Sequence, residues 1–205
     1  MASDFDTRER ILQYAREKFM GMGFSKVTVD EIAAGLGISK KTIYKFYPSK
    51  EELLRASVHM TMRNVQEALE HIRSSDKPSA EKLAETMIVI GRQIGRISRE
   101  IVVDMQRSTP SIWRELERFR REMILDKLVA MVRQARAEGI LRNEVDDQVL
   151  IQMIISAVQG ILNPEVLMQS SFSAEEAYRT IFQVIFAGSF SDDARKGLKV
   201  LDKQV

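Results

Sequence analysis

The segment from Leu36 to Lys50 carries four lysines and no acidic residue, although the whole chain has a formal net charge of +2. Residues 1–35, by contrast, carry five basic and six acidic side chains. Lysine ammonium groups neutralise phosphate, and the hydroxyls of Thr42 and Tyr44 in the same segment can donate hydrogen bonds to phosphate oxygens. The concentration of positive charge therefore indicates an anionic partner for this segment.

Three hydroxyl residues around the lysines can cap predicted helices. Thr28, Ser39 and Ser49 stand just before helical patterns, and a glutamate follows three residues after the first and the last. Backbone amides at a helix N-terminus point outward and bind anions. The short helices predicted at about 28–35 and 39–47 therefore bring oriented amides and ammonium groups to the same part of the molecule.

These two short helices and the turn between them have the residue pattern of a helix-turn-helix. Ala33 is the small residue at which the helices can cross, and Gly37 accepts the positive φ of a tight turn. Ile43 and Phe46 can turn the apolar side of the second helix inward. Lys50 can reach a DNA backbone from a different side. The outer face and helix start then hold residues that we expect to contact DNA: Ser39, Lys40, Lys41, Thr42, Tyr44 and Lys45. A helical hairpin with a solvated lysine face is the alternative.

Helical periodicity covers almost the whole chain, and no run alternates with period two as a strand would. The predicted fold is all-α, with an N-terminal three-helix head joined by a long helix to a larger helical body, about nine helices in all. We expect a DNA-binding domain at 1–50 and a second domain at 51–205. Asp6 and Glu9 can form a capping box at the first helix. The predicted helices are about 7–22, 28–35, 39–47, 49–72, 80–97, 99–108, 111–138, 146–169 and 173–190.

The segment from about Thr7 to Leu54 resembles the DNA-binding head of the TetR family of bacterial transcriptional regulators. The string TIYKFYPSKEEL is its most specific part, and the remainder of the chain is similar to the family in length and helix layout. The resemblance implies a homodimer that binds a pseudo-palindromic operator in double-stranded DNA, usually as a repressor. It also implies that Thr28, residues 40–45, Tyr47 and Lys50 face the DNA. The matching positions are Phe19, Gly23, Phe24, Thr28, Ile32, Ala33, Gly37, Ser39, Thr42, Tyr44, Phe46, Tyr47, Lys50, Glu51 and Leu53.

The last two long predicted helices are apolar enough to form an interface between subunits. Residues 149–162 are apolar nearly all round, and small residues among them would let another helix approach closely. Two helix-turn-helix units that read one DNA face require a dimer with recognition helices about 34–36 Å apart. With the family's assembly as the guide, we expect a four-helix interface. Its candidate residues are Met153, Ala157, Gly160, Ile161, Ile181 and Ile185. Packing within the core of one protomer is the alternative.

The resemblance also implies that residues 51–205 bind a small, largely apolar effector that releases the repressor. The chain has eleven methionines, whose flexible side chains suit an adaptable apolar pocket. Ordinary core packing is the alternative for each of them, and a salt bridge to Arg107 or Arg133 is the alternative for Asp104. The candidate effector-binding residues are Met62, Met87, Met105, Asp104, Trp113 and Gln159.

Other classes of function lack their residues in this sequence. Without cysteine, disulfides and thiolate metal sites are absent, and His59 and His71 are too far apart in sequence for a close helical metal pair. No phosphate-binding glycine loop or nucleophile elbow occurs, so we expect no enzyme activity, no cofactor and no metal. The N-terminus lacks a signal-peptide core and no apolar run approaches about 18 residues. We expect a cytoplasmic protein without membrane association. A helical interaction module that binds no operator is the first alternative function, and an enzyme is the last.

Overall fold

The computed structural model describes residues 4–95, 99–161 and 164–191. These residues form ten α-helices and no strand, which confirms the all-α prediction. The helices are α1 (Asp4–Met22), α2 (Val29–Leu36), α3 (Lys40–Phe46), α4 (Lys50–Ser74), α5 (Ser79–Gly95), α6 (Arg99–Ser108), α7 (Pro110–Ala137), α8 (Asp147–Ile161), α9 (Pro164–Gln169) and α10 (Ala174–Ser189).

The helix boundaries differ from the predicted ones mainly at two places. The chain is already helical at Asp4, so Asp6 lies inside the first turn of α1 and is not a cap. The helix predicted at 146–169 is divided into α8 and α9, with residues 162 and 163 outside the described residues. Pro164 begins α9, where a missing amide hydrogen costs no helical hydrogen bond.

The chain packs as two compact units. The first comprises Met1–Asn64 and Arg96–Arg118, and the second comprises Val65–Gly95 and Phe119–Val205. This division differs from a boundary at residue 50 because α6 packs against α1 within the first unit. The assignment of DNA binding to 1–50 and of ligand binding and dimerisation to 51–205 concerns function and stays a prediction.

The core of the first unit joins the three N-terminal helices to α4, α6 and the start of α7. Phe19, Ile32 and Ile43 are almost completely buried, and Met105 and Trp113 complete the same apolar cluster. Removal of this apolar surface from water is the main stabilising term for such a core. The packing fixes α3 against α1 and α2 and leaves its other side in solvent.

In the second unit, α5 and α8 both pack against α10. Gly139, at φ 69°, ends α7 in the left-handed conformation, as a glycine at that position predicts. The Arg136 guanidinium then closes the loop that follows, since it binds the Asp147 carboxylate at 2.7 Å and the backbone carbonyls of Arg142 and Val145. These contacts tie the end of α7 to the loop and to the first residue of α8.

Within the described part of the chain, no helix combines the length and the apolar character that a membrane span requires.

Candidate nucleic-acid interface

The start of α2 is held by a complete capping box. The Glu31 amide donates to the Thr28 hydroxyl at 3.1 Å, and the Thr28 amide donates to the Glu31 carboxylate at 2.7 Å. These hydrogen bonds satisfy amides that a helix start leaves free, and those from Thr28 lower the pKa of Glu31. The predicted cap at Thr28 is confirmed.

The turn between α2 and α3 depends on one glycine. Gly37 has φ 65° and ψ 33°, a left-handed conformation that side chains with a Cβ disfavour. Its conformation lets the Ile38 amide reach the carbonyl of Ala33 at 3.0 Å, which closes the end of α2. The predicted turn role of Gly37 is confirmed.

Helix α3 is fixed at its start and along its inner side. The Ser39 hydroxyl accepts the Thr42 amide at 3.0 Å, and the Thr42 hydroxyl lies 2.8 Å from it. Ile43 is buried and Phe46 is half-buried against the core, as predicted. The exposed residues of α3 therefore belong to its opposite side.

That exposed side carries three lysines in different electrostatic settings. Lys40 lies 2.7 Å from the Asp30 carboxylate of α2, and this hydrogen bond raises the pKa of Lys40. Lys45 lies 2.7 Å from the Asp4 carboxylate of α1. Lys41 is exposed and has no ion-pair partner among the residues that the structure describes. The sequence pattern missed both pairs because the carboxylates come from outside the acid-free segment.

The two tyrosines of this region lie in opposite environments. Tyr44 is exposed, at 41%, in agreement with its predicted DNA contact. Tyr47 is 4% exposed, and its hydroxyl donates to the backbone carbonyl of Arg8 at 3.3 Å. Burial also raises the pKa of Tyr47. The ring of Tyr47 thus belongs to the core. Its contact with DNA stays a prediction, and only a small part of the side chain is accessible to make it.

Lys50, at the start of α4, is half-buried. Its ammonium lies 4.1 Å from the centroid of the Phe24 ring, a cation–π contact. Burial lowers the pKa of Lys50, although the carboxylates of Asp104 and Glu31 oppose that effect. Ser49 caps the helix by accepting the Glu52 amide at 3.0 Å, as predicted. Lys50 is therefore held beside the turn between α1 and α2.

The same turn is bound by α6. The Asp104 carboxylate accepts the Ser25 amide at 2.7 Å, the Ser25 hydroxyl, and the Ser108 hydroxyl at 3.0 Å. Partial burial works against the charged carboxylate, but these hydrogen bonds keep the pKa of Asp104 below its ordinary value. Among the described residues of its own unit, Asp104 pairs with these serines and not with Arg107, so the alternative of a salt bridge to Arg107 is wrong. The alternative pair with Arg133, a residue of the second unit, stays a prediction.

The other candidate effector residues differ in burial and in the unit to which they belong. Met105 and Trp113 are buried in the core of the first unit, and Met62 is half-buried against it. Gln159 is exposed on α8. The side chain of Met87 lies outside the described residues. Core packing accounts for the buried pair, and effector binding by the set stays a prediction.

The candidate dimer residues divide by burial. Met153 is 52% exposed, whereas Ile181 is 6% exposed and belongs to the core of the second unit. Gly160 is exposed, and Ala157, Ile161 and Ile185 are half-buried. Two further exposed apolar residues lie on the same helices: Val149, within the predicted apolar segment 149–162, at 57%, and Val184, which the prediction did not include, at 69%. The spacing of Val149, Met153 and Gly160 along α8 was the available signal.

In the described part of the chain, no three histidine, aspartate or glutamate side chains gather as a metal site. His59 instead lies 2.9 Å from the Glu115 carboxylate, which also pairs with Arg55.

The chain is similar to known bacterial regulatory proteins. A family model described as "Bacterial regulatory proteins, tetR family" matches residues 11–57. The chain is 24% identical over 186 residues to an uncharacterized HTH-type transcriptional regulator, YvaF, of Bacillus subtilis (strain 168), which covers 90% of this chain and 96% of the relative. It is 21% identical over 196 residues to the nucleoid occlusion factor SlmA of Photobacterium profundum, over 88% and 94% of the two chains.

Solved structures share the fold over most of the chain. A TetR-family transcriptional regulator from Agrobacterium tumefaciens superposes with a TM-score of 0.70 at 15% identity, over 92% of this chain and all of the other. The SmeT–triclosan complex gives a TM-score of 0.66 at 23% identity, over 92% and 93%. The matched residues 11–57 include the whole helix-turn-helix described above.

Proposed function

We infer that this chain belongs to the TetR family of bacterial regulatory proteins and is a DNA-binding transcriptional regulator. We propose that it represses transcription as a homodimer on a pseudo-palindromic operator and is released by a small molecule. The observation that carries the proposal is the helix-turn-helix itself. Its turn is set by Gly37, Ile43 anchors α3 in the core, and the exposed side of α3 carries Lys40, Lys41, Tyr44 and Lys45.

Each exposed residue of α3 has a chemical role toward a duplex. Lys41, which is unpaired within the described residues, is suited to a phosphate, and Tyr44 can donate to a phosphate or a base edge. Thr28, Ser39 and Thr42 bring hydroxyls to the same region, and Lys50 lies beside it on α4. Each phosphate neutralised should add about 0.9 to the salt slope of binding.

Exposed apolar residues on α8 and α10 support the homodimer. Val149, Met153 and Val184 are each more than half exposed. Apolar side chains on two neighbouring helices stabilise a two-fold interface when the same surface of a second copy covers them. Gly160 leaves open space above α8 that would admit a partner helix. Ala157, Ile161 and Ile185 are half-buried beside this surface, and Ile181 supports it from within the core.

A small, largely apolar effector is proposed for residues 51–205. One structural relative is a complex of SmeT with triclosan, and another is named a ketosteroid transcriptional regulator, KstR2. We propose that the effector moves α6 and α4. Because Asp104 of α6 binds Ser25, such a movement reaches the turn that precedes α2. A coupling of about 1–3 kcal/mol would change operator affinity roughly 5–150-fold.

We also propose that the protein acts in the cytoplasm, where its DNA lies, and that it does so without a cofactor and without enzymatic activity. A helical interaction module that binds no operator is the competing function. The exposed lysines of α3 beside capped helix starts favour the regulator, because a duplex presents rows of phosphates to both features.

Selection of bound genomic fragments, followed by binding assays on the selected duplex, tests the proposed function. We expect Tyr44→Ala to weaken binding to the selected duplex by about 1–3 kcal/mol, or roughly 5–150-fold, if it contacts a base edge. Lys41→Ala should weaken binding to every duplex and reduce the salt slope by about 1. Arg133→Ala removes an exposed charge from α7 in the second unit and should leave binding unchanged. If the parent protein binds no duplex at any salt concentration, the regulator is excluded and the interaction module is favoured.

A further inference from the structure

Two lysines of α3 are held by carboxylates from the two preceding helices. Lys40 and Asp30 lie 2.7 Å apart with side-chain exposures of 47% and 70%, and Lys45 and Asp4 lie 2.7 Å apart with exposures of 59% and 76%. Lys41, between them, has no such partner in the part of the chain that the structure describes. The surface that must approach DNA therefore carries two exposed carboxylates beside two of its cations.

A carboxylate changes what a lysine can bind. The ammonium has three donors, so Lys40 can keep its hydrogen bond to Asp30 and still donate to a neutral acceptor. A phosphate at the same ammonium would approach the carboxylate, and the two negative charges would repel each other. An uncharged base acceptor, such as N7 or O6 of guanine, meets no such repulsion. The pairs thus disfavour phosphate contacts and leave base contacts open.

This difference separates specific from non-specific DNA. Binding to an unrelated duplex depends almost entirely on phosphate neutralisation, whereas binding to an operator also uses base edges. A lysine that is paired with a carboxylate therefore loses more of its affinity for phosphate than of its affinity for base edges. Lys41, with no carboxylate beside it among the described residues, remains available for phosphate in both cases.

We propose that Asp30 and Asp4 are positioning residues that set DNA specificity, because they hold Lys40 and Lys45 for base contacts and reduce affinity for non-specific DNA. The inference rests on the proposed operator binding and adds the source of its selectivity. The carboxylates do not bind DNA themselves. They act through the lysines that they hold.

The experiment compares Asp30→Asn and Asp4→Asn with Asp76→Asn, which makes the same charge change at an exposed position between α4 and α5. Fluorescence anisotropy would measure binding to the selected operator and to an unrelated duplex of equal length across a salt series. We expect Asp30→Asn and Asp4→Asn each to raise affinity for the unrelated duplex about two- to fivefold per protomer, as for an exposed ion pair. The salt slope for that duplex should steepen by about 0.9 for each further phosphate that a released lysine neutralises. Operator affinity should rise less, so specificity falls.

A double-mutant cycle of Asp30 and Lys40 separates the positioning effect of the Asp30 carboxylate from its effect on net charge. In a Lys40→Met background, Asp30→Asn should no longer raise non-specific affinity, because no ammonium is left to be released. An equal increase with and without Lys40 would overturn the inference, and so would an Asp30→Asn protein that behaves like Asp76→Asn. If the parent binds neither duplex at any salt concentration, the proposed function fails together with this inference. If the parent binds both duplexes and the carboxylate variants change nothing, the inference alone fails.

Discussion

Asp104 accepts both the backbone amide and the hydroxyl of Ser25, a residue 79 positions earlier in the chain. The contact ties α6 to the turn between α1 and α2. Gly23 in that turn has φ 88°, and a Cβ there would lie 3.1 Å from the Asp104 carboxylate. The turn therefore depends on a glycine both for its backbone conformation and for the close approach of Asp104.

Replacement of Asp104 should destabilise the first unit. Asp104→Ala leaves the Ser25 amide without its acceptor, and we expect a loss of about 1–3 kcal/mol in the free energy of unfolding, at the lower end because water reaches the site. Chemical denaturation measures the change, with Asp76→Ala as a control that removes an exposed carboxylate. Equal stability of the two variants would show that the Ser25 contact contributes nothing.

The same contact predicts a pH dependence. Because hydrogen bonds hold the pKa of Asp104 below its ordinary value, its charged form stabilises the folded protein above the unfolded-state pKa, about 3.9. This contribution is lost as the pH falls through the lower folded-state pKa. The stability difference between the parent and Asp104→Ala should therefore be constant near neutral pH and shrink below about pH 4. Unfolding measured across that range would contradict the account if the difference grew in acid.

For a Gly35→Ala variant, packing and helix propensity are expected to change the free energy of unfolding in opposite directions. Alanine in the middle of a helix is normally more stable than glycine by about 0.5–1 kcal/mol. A Cβ at Gly35 would instead collide with the hydroxyl and ring of Tyr14 in α1. We expect Gly35→Ala to destabilise the protein by about 1–3 kcal/mol and to weaken DNA binding.

Two further variants identify the cause. Gly21→Ala, whose Cβ would have no heavy atom within 4 Å, should not destabilise the protein. Addition of Tyr14→Ala to Gly35→Ala should remove much of the clash penalty, although loss of the ring has its own cost. A stabilised Gly35→Ala protein would mean that Tyr14 moves aside freely.

The proposed dimer surface predicts a change of assembly. Val184→Glu places a charge on an apolar residue of α10 that is 69% exposed, so burial of that surface against a second copy becomes unfavourable. Sedimentation velocity should show a dimer for the parent and a shift toward monomer for this variant. Met22→Glu alters an exposed apolar residue of α1 and serves as the control. A Val184→Glu protein that remained fully dimeric would exclude this surface.

Local features of the fold were predictable from the sequence, and contacts between distant residues were not. The cap at Thr28, the turn at Gly37 and the buried Ile43 follow from neighbouring residue types, and the structure has all three. Neither lysine pair could be read from the sequence. The carboxylates of Asp4 and Asp30 lie 41 and 10 residues before their lysines, and only the packing of α1, α2 and α3 brings them together.

For helices that are apolar on several sides, the buried side could not be predicted from the sequence. Along α10, Ile181 and Val184 are both aliphatic and β-branched, but Ile181 is in the core and Val184 in solvent. Tyr47 shows the same ambiguity, because its ring suits a core and its hydroxyl suits a phosphate. Which face is covered depends on the neighbouring helices, which composition does not reveal.

Footprinting of a selected genomic site tests the central claim, that a dimer reads DNA through α3, most directly. The account predicts two protected half-sites about one helical turn apart, ~34–36 Å, with two protomers bound per duplex. Protection should be lost in a protein that carries both Lys41→Ala and Tyr44→Ala and kept in Arg133→Ala. A parent protein that protects no site, or protection that survives the loss of both α3 residues, would contradict the claim.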